Sequence, residues 1–338
     1  MKTRRSAAAT KAPNRVVAIG GGTGLPAVLR GLRLLVERGE TSSVTAIVTM
    51  TDDGGSSGRL RQSMGVPPPG DVRNCLVALA EEESLLAGLF QYRYGNGEFG
   101  GHSVGNLILA ALAEQTGCFV KAVEVSSRVL RTVGKILPAT QEDCRLKATL
   151  EDGSDVIGET AITTADQLVR RISLVPDSPR PAPGVVEAIT DADLVVLGPG
   201  SLYTSILPNI AVPGIAAALC RTPATNVVVA NLVSERGEAA GLSLTDHLSM
   251  IEEHAGDRFV DAVLVDDSPI ADDVLERYRA EGAAPLFWPR DDGEAFRVER
   301  RGLLARGPKL RHDPVATSEG LVAAWRAGLA RTVTGDRM

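Results

Sequence analysis

Cysteine is scarce in this 338-residue chain, and histidine is no commoner. The four cysteines, Cys75, Cys118, Cys144 and Cys220, are widely spaced and form no CxxC pair. That excludes a disulfide framework and a cysteine zinc site, and fits buried or free thiols in a reducing compartment. The four histidines, His102, His247, His254 and His312, show no metal-ligand spacing, so no zinc site is expected. No apolar run reaches about 18 residues, which leaves no transmembrane helix to expect. Surplus positive charge is missing too. The chain carries 36 Lys and Arg against 42 Asp and Glu, a net charge of −6, which gives no electrostatic reason to expect nucleic-acid binding. No cysteine sits in an activated context, and covalent hydrolase chemistry is not expected.

What is present is apolar bulk and glycine. Hydrophobic residues make up 44% of the chain, enough for a large core, and the 35 glycines fall largely in short clusters after apolar runs. That distribution points to ligand-binding turns rather than low complexity. The length fits one main α/β domain with an inserted segment. Residues 1–14 carry Lys2, Arg4, Arg5 and Lys11 among Ala, Ser and Thr, without the apolar stretch of a secretory signal. They read as a disordered basic tail, with a transit peptide as the alternative, and the expected location is cytoplasmic.

The apolar run Arg15 to Gly20 reads as a buried first strand, Leu25 to Val36 as an amphipathic helix, and Val44 to Met50 as the next strand. Together they form a βαβ unit. Asp52 to Gly70 is rich in Gly, Ser and Pro and reads as a long functional loop. Asp71 is expected to cap a helix over Val72 to Ala80. Helices are predicted at His102 to Glu114 and Phe119 to Leu130. Arg145 to Leu150 and Asp155 to Thr163 flank a glycine turn and read as an antiparallel hairpin, with Arg171 to Val175 as a third strand. The α/β alternation resumes with strands at Asp193 to Leu197, Asn226 to Ala230 and Val260 to Val265. Helices are expected at 184–190, 215–220, 244–254, 271–280 and 318–331. The expected architecture is therefore α/β: a Rossmann-like, doubly wound, mostly parallel sheet (15–136 and 184–332) with a small antiparallel insertion (137–183).

Four segments carry chemistry. Gly20-Gly21-Gly22-Thr23-Gly24 ends the first strand and opens a helix. Glycines there let backbone approach a ligand, and a helix N-terminus suits a phosphate. It is neither a strict GxGxxG nor a Walker loop. Asp52 to Arg61 (DDGGSSGRLR) follows the second strand. Its carboxylates could accept ribose hydroxyls or hold Mg²⁺ with phosphate oxygens, while Arg59 and Arg61 could clamp phosphates. Gly198-Pro199-Gly200-Ser201 repeats the strand–glycine–helix logic, so the two turns could flank a topological switch point. His102 and Asn106, four apart, would share a helix face, either touching substrate or serving as a cap and a core hydrogen bond.

The ordered set GGGTGL (Gly20 to Leu25), TDDGGSSGRLR (Thr51 to Arg61), PPGDVRNCLVALA (Pro68 to Ala80), GHSVGNLILAAL (Gly101 to Leu112), ILPAT (Ile136 to Thr140), ADLVVLGPGSLYTSILPN (Ala192 to Asn209) and RHDP (Arg311 to Pro314) resembles the YvcK branch of the CofD-like family. The resemblance spans Arg15 to about Leu329. It implies a Rossmann-like core with an inserted subdomain. The CofD branch transfers a phospholactyl group from a nucleotide diphosphate donor to a deazaflavin, with Mg²⁺. The YvcK branch is associated with UDP-sugars, especially UDP-N-acetylglucosamine, and with gluconeogenic growth, cell shape and cell-wall precursor supply. Its members are not established as enzymes.

Carried onto this sequence, the resemblance places Gly21, Gly22, Thr23, Gly24 and Leu25 at a diphosphate. Asn74 and Asn106 line the pocket, joined by Ser57, Arg59 and His102. Gly198, Gly200, Ser201 and Leu202 complete the cradle, Arg311 lies near the nucleotide sugar, and Asn231, just after the strand ending at Ala230, is a further ligand-binding residue. Asp52 and Asp53 fall where the transferase branch works near metal, and would be catalytic only in a transferase. Gly237-Glu238 is followed by Ala239 where the branch often has Thr, a departure that removes a hydroxyl. Aromatics are only 4% of the chain, which favours a sugar nucleotide over a deazaflavin. The expected protein is a non-catalytic UDP-sugar binder that needs no cofactor and self-associates; the alternative is the Mg²⁺-dependent transferase. An NAD-dependent oxidoreductase is the third reading, with no hydride-transfer acid/base pair to support it.

Overall fold

Where an apolar run is too short for a helix and carries Val and Ile on consecutive positions, it can only be a strand buried on both faces. Four such runs occupy the middle of this protein. The computed structural model describes residues 12–81, 85–165, 167–234, 242–280, 283, 286, 296–307 and 309–334. The first half runs β1 (Arg15–Gly20), α1 (Leu25–Glu37), β2 (Ser43–Val48), α2 (Gly55–Met64), α3 (Gly70–Leu79), α4 (Leu85–Gln91), α5 (Val104–Thr116), α6 (Phe119–Leu130) and β3 (Lys135–Pro138). Next come β4 (Arg145–Leu150), β5 (Asp155–Ile157), α7 (Glu159–Thr163) and β6 (Val169–Val175). The second half runs α8 (Val185–Asp191), β7 (Leu194–Leu197), a π-helical turn Leu202–Ile206 leading into α9 (Leu207–Ile210), α10 (Pro213–Arg221), β8 (Thr225–Val229), α11 (Leu244–Ala255), β9 (Ala262–Asp266), α12 (Asp272–Ala280), β10 (Arg297–Arg301) and α13 (Pro314–Thr334).

Seven strands form one parallel sheet in the order β10-β9-β8-β7-β1-β2-β3, and β5-β4-β6 form a small antiparallel sheet. Strands β9, β8, β7, β1 and β2 sit inside the large sheet, so both their faces need cover. Alternate residues divide accordingly. Val16, Ala18, Leu194, Val196, Val227 and Val229 pack with α1, α3, α5, α6 and α13. Val17, Ile19, Val195, Leu197 and Val228 pack with α8, α10, α11 and the small sheet. Each fully buried Val, Leu or Ile contributes about 1.5–3 kcal/mol. Truncating Leu29 of α1, which is 0% exposed, to Ala costs about 2–5 kcal/mol, because the close-packed site cannot collapse.

The chain winds outward from β1 to β3 in one direction, then outward from β7 to β10 in the other. β1 and β7 are adjacent and parallel, so the loops after them leave the sheet side by side. That is the topological switch point the two glycine turns implied.

Several local expectations change. The expected loop 52–70 contains α2. Its helix-forming stretch Arg59 to Met64 is anchored by one buried apolar residue, Leu60, too few to give a periodic signal. Asp155 to Thr163 is a strand only through Ile157; α7 follows. β3 pairs in the parallel sheet through Pro138, so it takes in the first two residues of the expected insertion. The edge strand β10 and α4 carried too little apolar pattern to be read. Ala12 is 2% exposed and the Asn14 carbonyl accepts the Ser42 and Ser43 amides, so residues 12–14 belong to the fold rather than to a tail. Residues 1–11, and the Gly237-Glu238 segment, lie outside the described residues. All four cysteines are unpaired, and among the described residues no single helix is long and apolar enough to cross a membrane.

Candidate functional site

The two glycine loops meet backbone to backbone. A side chain at Gly24 would lie 2.3 Å from the Pro199 carbonyl oxygen, so only glycine permits that approach. Beside this contact opens a cleft of about 800 Å³, within the usual size for small-molecule sites. Gly22, Thr23 and Gly24 line it from the first loop, and Pro199, Gly200, Ser201, Thr204 and Ser205 from the second. Helix α1 starts here with no acidic residue in its first turn, so no carboxylate of its own offsets its partial positive charge. Ser201 accepts the Thr204 amide at 3.2 Å, which leaves the hydroxyl proton to donate.

Of the residues expected at the ligand, Gly22, Thr23, Gly24, Asn74, Gly200, Ser201, Asn231 and Arg311 line this one cleft. Asn231 makes a reciprocal pair with Gly200, accepting its amide at 2.9 Å and donating to its carbonyl at 2.9 Å. The Asn74 oxygen accepts Arg73 at 2.6 Å, so its amide nitrogen keeps its protons to donate. Arg73 itself is buried and also donates to Ser103 and, at 3.1 Å, to Asn106.

The remaining expected residues have other work. Leu25 and Leu202 are core residues, 0% and 2% exposed. Gly198 lies beneath the second loop against Ile206 and Val229, and Gly21 against Thr49 and Asp71. Ser57 accepts the Gly70 amide at 3.1 Å and thereby joins α2 to α3. Arg59 holds the Gly100 carbonyl at 2.8 Å, and Arg61 holds Asp143 and, at 2.6 Å, Cys144 of the insertion, and neither lines this cleft. His102 and Asn106 do not share a helix: Ser103, not His102, caps α5, and His102 precedes it. Both reach Ser56 instead, His102 through Nδ1 at 2.9 Å and Asn106 through Nδ2 at 3.0 Å.

Asp52 and Asp53 diverge. Asp52 accepts the Gly54 amide at 2.9 Å, closing a local turn. Asp53 accepts the Glu159 amide at 2.9 Å, and the Thr160 amide and hydroxyl at 3.0 and 2.8 Å. With both its oxygens engaged by α7, Asp53 does not fit a Mg²⁺ shared with Asp52. Among the described residues there is no group of three or more His, Cys, Asp or Glu able to hold a metal ion. Asp71, expected as a helix cap, accepts the Gly22 amide at 2.8 Å and pins the first glycine loop to α3. Burial raises its carboxyl to about 6 against the pull of the Gly22 hydrogen bond; the Asp52 charge adds to the rise and Arg73 opposes it.

The sequence reading missed the cleft's strongest electrostatic feature. Arg30 and Arg306 line it together with Arg311. Among the described residues none of the three has a carboxylate within ion-pair distance. Partial burial, then the positive charges of Arg311 and Arg33, push the Arg30 guanidinium below its ordinary value. A signal existed: Ala27 and Arg30 are three apart on α1 and share a face. Cations held together next to a helix N-terminus are the groups that suit an anion.

This is a doubly wound α/β protein with an arginine-lined cleft at its switch point. The chain belongs to the CofD-like family, in its YvcK-type gluconeogenesis-factor branch: the family described as "2-phospho-L-lactate transferase CofD" matches residues 16–302. The gluconeogenesis factor of Halalkalibacterium halodurans is 44% identical over 311 residues, covering 91% of this chain and 95% of its own. That of Bacillus subtilis is 42% identical, with 84% and 89% covered. A crystal structure of a UPF0052-family protein from Bacillus halodurans superposes with a TM-score of 0.87 at 42% identity, covering 91% of this chain and 98% of that one.

Proposed function

We propose that the protein is a UDP-sugar-binding regulator, taking UDP-N-acetylglucosamine, that links gluconeogenic carbon use to cell shape and cell-wall precursor supply. One observation carries the ligand class: three arginines with no ion-pair partner among the described residues converge where two glycine loops and a helix N-terminus also present donors. A diphosphate satisfies all of these groups at once. The relatives' shared name, gluconeogenesis factor, supports the physiological role. Self-association and a cytoplasmic location belong to the same reading and rest on the family resemblance.

The alternative is a Mg²⁺-dependent phospholactyl transferase acting on a deazaflavin. The raised carboxyl of Asp71, beside Asp52, is the observation in its favour, since catalytic acids are often tuned this way. The engagement of Asp53 with α7 weighs against it.

Isothermal titration with UDP-N-acetylglucosamine, UDP-glucose, GDP and NAD, each with and without Mg²⁺, tests the choice. Micromolar binding of a UDP-sugar that is recovered intact is expected. Binding of GDP with Mg²⁺ but of no UDP-sugar would overturn the regulator in favour of the transferase.

A further inference from the structure

The cleft has a wall that neither glycine loop supplies. Glu159 and Thr163 of the insertion line it, opposite in chemistry to the arginines: one carboxylate and one hydroxyl, with Asn74 and Gln91 as the neighbouring amides. The two residues are four apart on α7, so they share a face. Ile162, between them in sequence and 0% exposed, sits in the core shared with the small sheet and fixes the helix's roll.

α7 has five residues and cannot hold its position by its own hydrogen bonds. Asp53 holds it from outside, through three hydrogen bonds that cross from the loop after β2. Gly158, just before the helix, has φ +108°, and a side chain there would lie 2.6 Å from an Asp53 carboxylate oxygen. Both the turn and the close approach require glycine.

Cationic groups suit a diphosphate, and they do not suit a neutral polyol. A carboxylate, a hydroxyl and carboxamides are the usual partners of sugar hydroxyls, because a carboxylate accepts two O–H groups at once. We propose that α7 is the sugar-recognition wall of the cleft, with Glu159 and Thr163 hydrogen-bonding hexose hydroxyls, and that Asp53 is the positioning residue that latches this wall to the core. The inference rests on the UDP-sugar reading and adds to it the side of the cleft that distinguishes a sugar nucleotide from the bare nucleotide.

The experiment is isothermal titration of the full-length protein with UDP-N-acetylglucosamine, UDP-glucose and UDP. Wild-type protein is compared with Glu159→Ala/Thr163→Val, Asp53→Asn and Gly158→Ala, each checked by thermal unfolding. The wild type is expected to bind the UDP-sugar more tightly than UDP. The variants lose about tenfold of that preference, the size of one or two hydrogen bonds involving a charged group, while their UDP affinity stays unchanged. Gly158→Ala should behave like Asp53→Asn, since both disturb the latch and neither touches the ligand. Variants that keep the full preference overturn the wall. Parallel loss of UDP affinity in folded variants overturns its assignment to the sugar half. If the wild type binds no uridine nucleotide at all, the underlying reading falls, and the wall falls with it.

Discussion

The carboxamide of Asn231 and the backbone of Gly200 face each other as a two-bond pair, each bond 2.9 Å long. The pair ties the end of β8 to the loop after β7 and fixes the height of that loop above the sheet. Asn231→Ala removes both bonds and leaves the Gly200 groups to find water, a cost of about 1–3 kcal/mol. Ligand affinity should fall together with the unfolding midpoint. Asn231→Asp keeps the acceptor, loses the donor and adds a negative charge, so its affinity for a diphosphate should fall further than its stability. Titration and denaturant unfolding of both variants check this.

Arg30 should behave in the opposite way. Its charge is repelled by Arg311 and Arg33, so Arg30→Gln is expected to leave the melting temperature unchanged or raise it. Affinity for a nucleotide diphosphate should fall about tenfold, in line with a lost charge-assisted hydrogen bond. Affinity for the uncharged nucleoside should not change. A melting temperature that falls with affinity would show that Arg30 serves the fold instead.

Gly24→Ala forces a methyl group against the Pro199 carbonyl. Overpacking of this kind costs about 1–3 kcal/mol. The loops must separate to admit the methyl group, so binding should be lost even where the variant folds. Circular dichroism and titration measured together separate the two effects.

Two groups give the stability opposite pH slopes. Burial pushes the His312 imidazole down to about 4, so the folded protein binds this proton less readily than the unfolded chain. That contribution is complete above the ordinary histidine value and is lost as pH falls from about 6.5 towards 4. Asp71 is raised to about 6, so the folded protein holds its proton more readily, and stability is lost as pH rises from about 4 through 6. His312→Gln should flatten the acid side of the stability curve. Asp71→Asn should gain stability above pH 6 and lose that advantage near pH 4. With a negative charge removed beside Gly22, it should also bind a diphosphate more tightly. Urea midpoints taken across pH 4–8 measure all of these slopes.

The sheet and its switch point were legible because continuous Val and Ile runs admit only one burial, and because glycine clusters followed two of them. The cleft was half legible. Backbone-lining residues such as Gly22 and Gly200 announce themselves by composition. Arg30, Glu159 and Arg306 do not, because a charged residue on a helix or loop reads the same whether it meets solvent or a ligand. The serine–glycine–arginine segment misled for a related reason: its side chains bind the protein itself, Ser57 to Gly70, Arg59 to Gly100 and Arg61 to Asp143. Overall composition also hid a local concentration. Tyr92, Tyr94 and Phe99 cluster on one excursion beginning at Gln91, with Tyr92 and Phe99 more than half exposed, in a chain otherwise poor in rings.

The chain builds one half of the large sheet, passes through the insertion and then builds the other half, so the two glycine turns that touch belong to halves joined by a single covalent crossing. A molecule resting on both turns, on the insertion and on the segment before α13 is a strut across parts the polypeptide joins only once. Occupancy would then register as rigidity: slower amide exchange and slower proteolysis along that seam, with little change of outline. A partner that senses ligand by this route needs to feel how stiff the seam is, and need not touch the ligand.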